Sequence, residues 1–152
     1  MENISMFEMM YPTFKTDKPI RLIELFAGVG SQAMALRNIG ADFEHYKISE
    51  WEVSATASYK AIHMENDNTD YSTEIEKVEL SQILFNYGIS NDGKEPMTLE
   101  QIKRKSEKWQ RMVYNNLRAT NNLGSICNFK GGDLEIKETD KYNYILTYSF
   151  PC

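Results

Sequence analysis

Residues 21–33 read Arg21-Leu22-Ile23-Glu24-Leu25-Phe26-Ala27-Gly28-Val29-Gly30-Ser31-Gln32-Ala33. Arg21 to Phe26 is a short apolar-rich run that stops at glycines, the pattern of a buried strand. Gly28 to Ala33 then satisfies G-x-G-x-x-G/A. It leads into Ser31–Ile39, where Ala33, Met34, Leu36 and Arg37 carry helical spacing before Gly40 as the C-terminal stop. A strand feeding a helix through such a turn has the form of a nucleotide-type cofactor loop. The first glycine allows the tight turn, the second lets a ligand approach the backbone, and Ala33 lets helix and strand pack closely.

Working outward, Phe43 to Ser49 is a second strand and Val53 to Met64 a second helix. Strand, glycine turn, helix, strand and helix in that order predict an α/β fold with a parallel sheet. Glu50 lies 20 positions after Gly30, where an acid can accept hydrogen bonds from ribose hydroxyls. Glu24 stands four positions before Gly28. A carboxylate there suits a cationic or amine-bearing ligand better than the pyrophosphate of NAD, which would sit over the helix N-terminus. S-adenosylmethionine offers a sulfonium, an ammonium and a carboxylate that N–H groups near Gly30 can hold. Trp51 can stack on adenine or pack in the core, and the residues leave both open.

Beyond residue 64 the rhythm changes. Asn66 to Asp70 is a polar loop, Thr73 with Glu76 predicts a capping box opening a helix to Tyr87, and Gly88 to Pro96 is a second loop. Thr98 with Gln101 predicts another capping box and one long helix to Ala119. Ile102, Trp109, Met112, Val113 and Leu117 share a face of it; Lys103, Arg104, Lys105, Lys108, Arg111 and Arg118 lie on the other, as a solvated face or a phosphate-facing ridge. Leu123–Asn128 is a short third strand and Tyr142–Phe150 a fourth, rich in aromatic and branched residues. Residues 1–19 form an arm whose Met6, Phe7, Met9, Met10, Tyr11 and Phe14 pack on the domain or meet a partner.

The 152 residues suffice for one domain. A net charge of −5 argues against a self-sufficient nucleic-acid binder, which shows a basic footprint. Two cysteines, Cys127 and Cys152, do not make a disulfide scaffold. The N-terminus lacks the form of a signal peptide and no apolar run is long enough to span a bilayer, so a cytoplasmic protein without a membrane partner is expected. Tyr148-Ser149-Phe150-Pro151-Cys152 closes the last strand and puts a thiol at the carboxyl edge of the sheet, where such folds bind ligands.

Taken in order, Glu-Leu-Phe-Ala-Gly-Val-Gly at 24–30, Ser-Glu-Trp at 49–51 and Ser-Phe-Pro-Cys at 149–152 resemble the early motifs of bacterial and phage DNA cytosine-5 methyltransferases. The resemblance covers about 21–64 and 123–152. It implies a Rossmann-like S-adenosylmethionine-dependent methyltransferase fold with a partial parallel sheet of about four strands, interrupted by a helical insertion at 65–122. It implies Cys152 as the nucleophile. Its cofactor contacts would come from Glu24, Phe26, Ala27, Gly28, Gly30, Ser31, Glu50, Trp51, Phe150 and Pro151. The family has Asp where Glu24 stands. Its third motif falls on Ser125 and Ile126, or else on Asp133 in Gly132-Asp133-Leu134.

The implied chemistry is attack of the thiolate on carbon 6 of a flipped cytosine, methylation of carbon 5 from S-adenosylmethionine, which leaves S-adenosylhomocysteine, and elimination. The family's Glu-Asn-Val and Gln-x-Arg-x-Arg motifs and its target-recognition domain have no counterpart among these residues. Residues 20–152 are therefore expected to be the N-terminal half of a catalytic domain. Alone it would be inactive, it would meet DNA only with the missing part, and it would be open to a complementary subunit or to self-association through the last strand's free edge. Two other readings stand beside this one: an S-adenosylmethionine-binding module without catalysis, and another Rossmann enzyme such as an NAD-dependent one.

Overall fold

The computed structural model describes residues 16–149. The apolar residues of the arm and Phe150, Pro151 and Cys152 lie outside them.

The expected α/β order holds from the start of the described chain. Strand β1 (Ile20–Leu25) leads through the glycine turn to helix α1 (Ser31–Asn38), then β2 (Phe43–Ser49) and α2 (Val53–His63). Strand β3 (Asn143–Tyr148) returns at the end, and the parallel sheet has the order β2-β1-β3. As the central strand, β1 buries Ile20, Leu22 and Ile23 almost completely, which accounts for its continuous apolar run. Leu25 aligns with Ser49 on one side and Tyr148 on the other, so the three strands end together at one edge. Gly40 closes α1 as expected, with φ 70° and its N–H on Arg37 O at 3.0 Å.

The third strand is corrected to one parallel bridge between Ile48 and Asn122. Leu123 N–H donates to Ile48 O at 2.9 Å, and the chain then leaves the sheet at Gly124, with φ 77°. A side chain at Gly124 would strike the Tyr87 carbonyl. Among the described residues β3 is the last strand on its side of the sheet, with Leu146 and Tyr148 exposed.

Between α2 and that bridge, α3 (Lys77–Tyr87), α4 (Leu99–Lys103) and α5 (Glu107–Ala119) enclose a separate apolar core of Leu84, Ile89, Met97, Ile102, Val113 and Leu117. Full burial of each such side chain is worth about 1.5–3 kcal/mol. The capping box at Thr98 and Gln101 forms: Gln101 N–H donates to Thr98 Oγ1 at 3.3 Å and Thr98 N–H to Gln101 Oε1 at 2.8 Å. The single long helix does not. Ser106 restarts the chain as a new N-cap, accepting from Trp109 N–H at 3.2 Å.

Gln110, fully buried, holds this break. Its amide donates to Ile102 O at 3.0 Å and its oxygen accepts from the Ser81 hydroxyl at 2.9 Å. A polar side chain thus occupies core space, and Met112, expected on the apolar face, is 47% exposed.

The box expected at Thr73 and Glu76 is absent. Thr73 Oγ1 donates to Asp70 O at 3.1 Å as part of a turn, and α3 starts after Glu76 without a side-chain cap. Among the described residues, four of the six cations on the basic side have partners. Lys103 pairs with Glu100, and Arg111 with Glu107. Lys105 lies over Trp109, and Arg118 over Tyr71. No helix among the described residues is long and apolar enough to cross a membrane.

Candidate cofactor site

The turn after β1 alternates conformations sharply: Phe26, Gly28 and Gly30 have φ of 57°, 54° and 81°. For a bulky residue such as Phe26 this backbone costs about 1–3 kcal/mol. The surroundings must impose it, and they do so from two sides.

Beneath the turn, Glu24 is 1% exposed. One of its oxygens accepts from Ala33 N–H at 3.2 Å and the other from the Tyr59 hydroxyl at 2.5 Å. Burial pushes the Glu24 carboxyl above its ordinary range, and those two bonds pull the other way. Burial and the neighbouring Glu24 raise the Tyr59 phenol as well. With the Tyr59 proton directed at Glu24, His45 Nδ1 is the donor to the Tyr59 oxygen at 2.8 Å. Burial, then repulsion from His63 in its protonated form and from Arg37, lowers the His45 pKa to about 4.

A second chain of bonds reaches the turn from the side. Arg37 donates to His63 Nδ1 at 3.0 Å, and guanidinium can only donate. His63 therefore carries its proton on Nε2, which donates to Val29 O at 3.0 Å.

Above the turn, Glu50 is half-buried; its oxygens accept from Gly28 N–H at 2.9 Å and Glu52 N–H at 2.8 Å. Its backbone is set by the buried Asn122. The Asn122 oxygen accepts from Glu50 N–H (3.1 Å) and Gly124 N–H (2.8 Å), while its amide donates to Glu50 O (2.9 Å) and Thr56 Oγ1 (3.1 Å). All four bonding positions of the amide are used.

These residues border a cavity of about 480 Å³ at the carboxyl edge of the sheet, within the size range of small-molecule sites. Of the residues singled out from sequence, Phe26, Gly28, Glu50, Trp51, Ser125 and Ile126 line it. Ser49, Glu52, Gly93, Gly124, Cys127 and Ser149 complete the lining and were not among the expected cofactor contacts. The strands' common end, put together from the register, could have suggested Ser49 and Ser149. Nothing in the sequence separates Asn122 from Asn121, which takes φ 47° as a turn residue.

Five sequence-derived positions are placed elsewhere. Glu24 faces α1 and Tyr59 rather than the cavity. Ala27 is buried against Ile48 and Tyr59. Ser31 is exposed on α1, its hydroxyl on Gln32. Asp133 sits on an exposed 3-10 turn (Gly131–Leu134), where it accepts from Lys130 N–H at 2.7 Å. Gly30 makes room for α2 instead of a ligand: a Cβ there would collide with His63 Nε2 and lie 2.7 Å from Tyr59 Cε2.

The family model for C-5 cytosine-specific DNA methylase matches residues 20–89. The orphan methyltransferase M.SssI of Spiroplasma monobiae is 33% identical over 136 residues, covering 89% of this chain and 34% of that protein. The type II methyltransferase M2.ScrFI of Lactococcus lactis subsp. cremoris is 30% identical over 138 residues, 88% of this chain and 35% of that protein. The orphan methyltransferase M.SPBetaI of Bacillus phage SPbeta is 48% identical over 44 residues, 29% of this chain and 10% of that protein. The chain thus spans about a third of the length of the two relatives matched along most of it. Alignments this long also run through most of the helical stretch 65–122.

Proposed function

This chain belongs to the C-5 cytosine-specific DNA methylase family, and from that premise we propose that its cavity holds S-adenosylmethionine and that Cys152 is the nucleophile for methylation of cytosine carbon 5 in DNA. The observation that carries the proposal is the cavity wall, where aromatic faces, two carboxylates and small polar residues meet at the ends of three parallel strands. That donor set fits the cofactor. Phe26, Trp51 and Ile126 supply apolar surface for adenine. Glu50 keeps lone pairs for ribose hydroxyls beside the two N–H groups it already holds. Ser125 and Ile126 take the third-motif position; Asp133, away from the cavity, does not. Glu24 acts as a positioning residue beneath the turn, and Ala27, Gly30 and Ser31 shape the turn and the start of α1.

S-adenosylmethionine, when bound, supplies a methyl group on a sulfonium. The chain supplies its orientation and the thiol. Ser149 lies on the cavity rim, and Cys152 follows it by three positions in the sequence. Thiolate addition to carbon 6 makes carbon 5 nucleophilic, and the cytosine must leave the duplex to be reached. Target recognition and the remaining base contacts are assigned to the length of the relatives that this chain does not match. Methylation by these residues alone is accordingly not expected.

Titration calorimetry with S-adenosylhomocysteine and with NAD tests the cofactor assignment: binding of the first and not the second is expected, and NAD binding alone would overturn it. Methyl transfer to DNA, assayed after adding a chain that supplies the unmatched length, separates the enzyme from a binding module. Activity that Cys152→Ser abolishes supports the enzyme; cofactor binding without any transfer supports the module.

A further inference from the structure

The helical stretch 65–122 reaches the cavity through one loop. Ser90, fully buried, follows α3 and crosses beside the start of α2. Its N–H donates to Trp51 O at 2.8 Å, and Val53 N–H donates to Ser90 O at 3.0 Å, so Ser90 pairs with Glu52 in a parallel bridge. The Ser90 hydroxyl accepts from Gly93 N–H at 3.0 Å and donates to Glu95 O at 2.6 Å. Asp92 accepts from Lys94 N–H at 3.1 Å. The turn is closed on itself and fastened to the residues that flank Glu52, so its position follows theirs.

Gly93 lines the cavity, at φ 72°. Asn91, Asp92 and Glu95 border a second hollow of about 540 Å³ behind it. The turn is therefore a thin partition, and at Gly93 its thickness is a bare backbone. A Cβ there would lie 3.4 Å from Glu52 Oε2 and meet no other group within 4 Å, so there is space for one on the cavity side and the left-handed backbone alone opposes it. Glu52 donates its N–H to Glu50, which places this wall beside the carboxylate assigned to the ribose.

We propose that the turn from Ser90 to Glu95 is a wall of the cofactor cavity and that Gly93 is a specificity-determining residue, leaving room at the ribose end for an adenosine ligand. The inference rests on the S-adenosylmethionine reading of the cavity, and it gives part of the helical stretch a place in the cofactor site.

Calorimetry on the full chain tests it with two probes, S-adenosylhomocysteine and 5′-methylthioadenosine, the second lacking the amino-acid portion. Gly93→Asn is the informative variant, because asparagine tolerates a left-handed backbone while adding a side chain. Both probes should bind about tenfold more weakly or worse, by the same factor, as one misplaced group in a tight pocket does. The thermal midpoint should fall only by the small cost of a left-handed asparagine, and Asn91→Ala, behind the partition, should bind as the unaltered chain does. If the asparagine variant fails to fold, Gly93→Asp, the other side chain that enters the left-handed region, gives the same readout. Unchanged affinity for both probes overturns the wall. A loss confined to S-adenosylhomocysteine overturns the ribose-end assignment. No binding of S-adenosylhomocysteine by the unaltered chain overturns this inference together with the cofactor reading beneath it.

Discussion

The two sides of the glycine turn are held by the same chemistry under different solvent conditions. Below, Glu24 takes the Ala33 N–H and the Tyr59 hydroxyl in a site closed to water. Above, Glu50 takes the Gly28 and Glu52 N–H groups at the edge of an open cavity. Each carboxylate accepts two bonds, and each pins the turn to a neighbouring element. The lower one can serve only folding, because every contact it makes is already internal. The upper one can be shared with a ligand. The difference teaches that an acid beside a glycine turn is assigned by burial rather than by its distance from the glycines.

The strongest way to break this contrast is to crowd the lower side. In Gly30→Ala the new methyl group meets His63 and Tyr59 at overlapping distance, on a backbone at φ 81°. A loss of about 3 kcal/mol or more is expected in urea unfolding, by overpacking added to left-handed strain. A loss below 1 kcal/mol would mean that α2 yields easily and that the lower side is not close-packed.

Next in size is a matched pair. Glu24→Ala orphans a buried N–H and a buried hydroxyl and should cost about 3 kcal/mol of stability. Glu50→Ala, where water can replace the carboxylate, should cost about 1 kcal/mol of stability. It should also weaken S-adenosylhomocysteine binding roughly 10- to 100-fold, the worth of charge-assisted bonds to hydroxyls. Equal losses of stability in the two variants would erase the distinction between the sides.

The strand, turn, helix and strand of the first half were legible because each is decided locally: an apolar run for β1, glycines where the backbone turns left-handed, Gly40 as the stop of α1. What was not legible depends on where side chains point. Glu24 reads the same whether it faces a ligand or Tyr59, since a central strand has no polar side to betray its facing. Gln110 occupies a core position on an amphipathic helix, and Ser106 restarts that helix, so periodicity alone ran two helices into one. The expected third strand failed at Gly124, which the Tyr87 carbonyl approaches too closely for any side chain. Asn122, which uses all its bonding positions to seat Glu50, looked like loop. The cavity's far wall at Gly93 comes from a stretch with no motif of its own.

The smallest expected effect comes from the histidines under the turn, and its sign separates the two sides again. His45 falls from 6.5 to about 4 in the folded chain because burial, and then His63 and Arg37, oppose its charge. As pH falls below 6.5 the unfolded chain takes up a proton that the folded chain refuses, so stability is lost progressively toward pH 4. His63, also lowered, acts in the same direction. Glu24 acts oppositely: its raised folded pKa means that its contribution is present below 4.5 and lost as pH rises through the raised value. In His45→Asn, whose amide can still donate to the Tyr59 oxygen, the rise in stability between pH 4.5 and 6.5 should flatten by on the order of 1–2 kcal/mol after allowance for solvent screening. Urea unfolding at a series of pH values reads this directly. Parallel profiles for the variant and the unaltered chain would show that His45 titrates normally. The space beneath the turn would then be as wet as the cavity above it, and the contrast between Glu24 and Glu50 would have no basis in solvation.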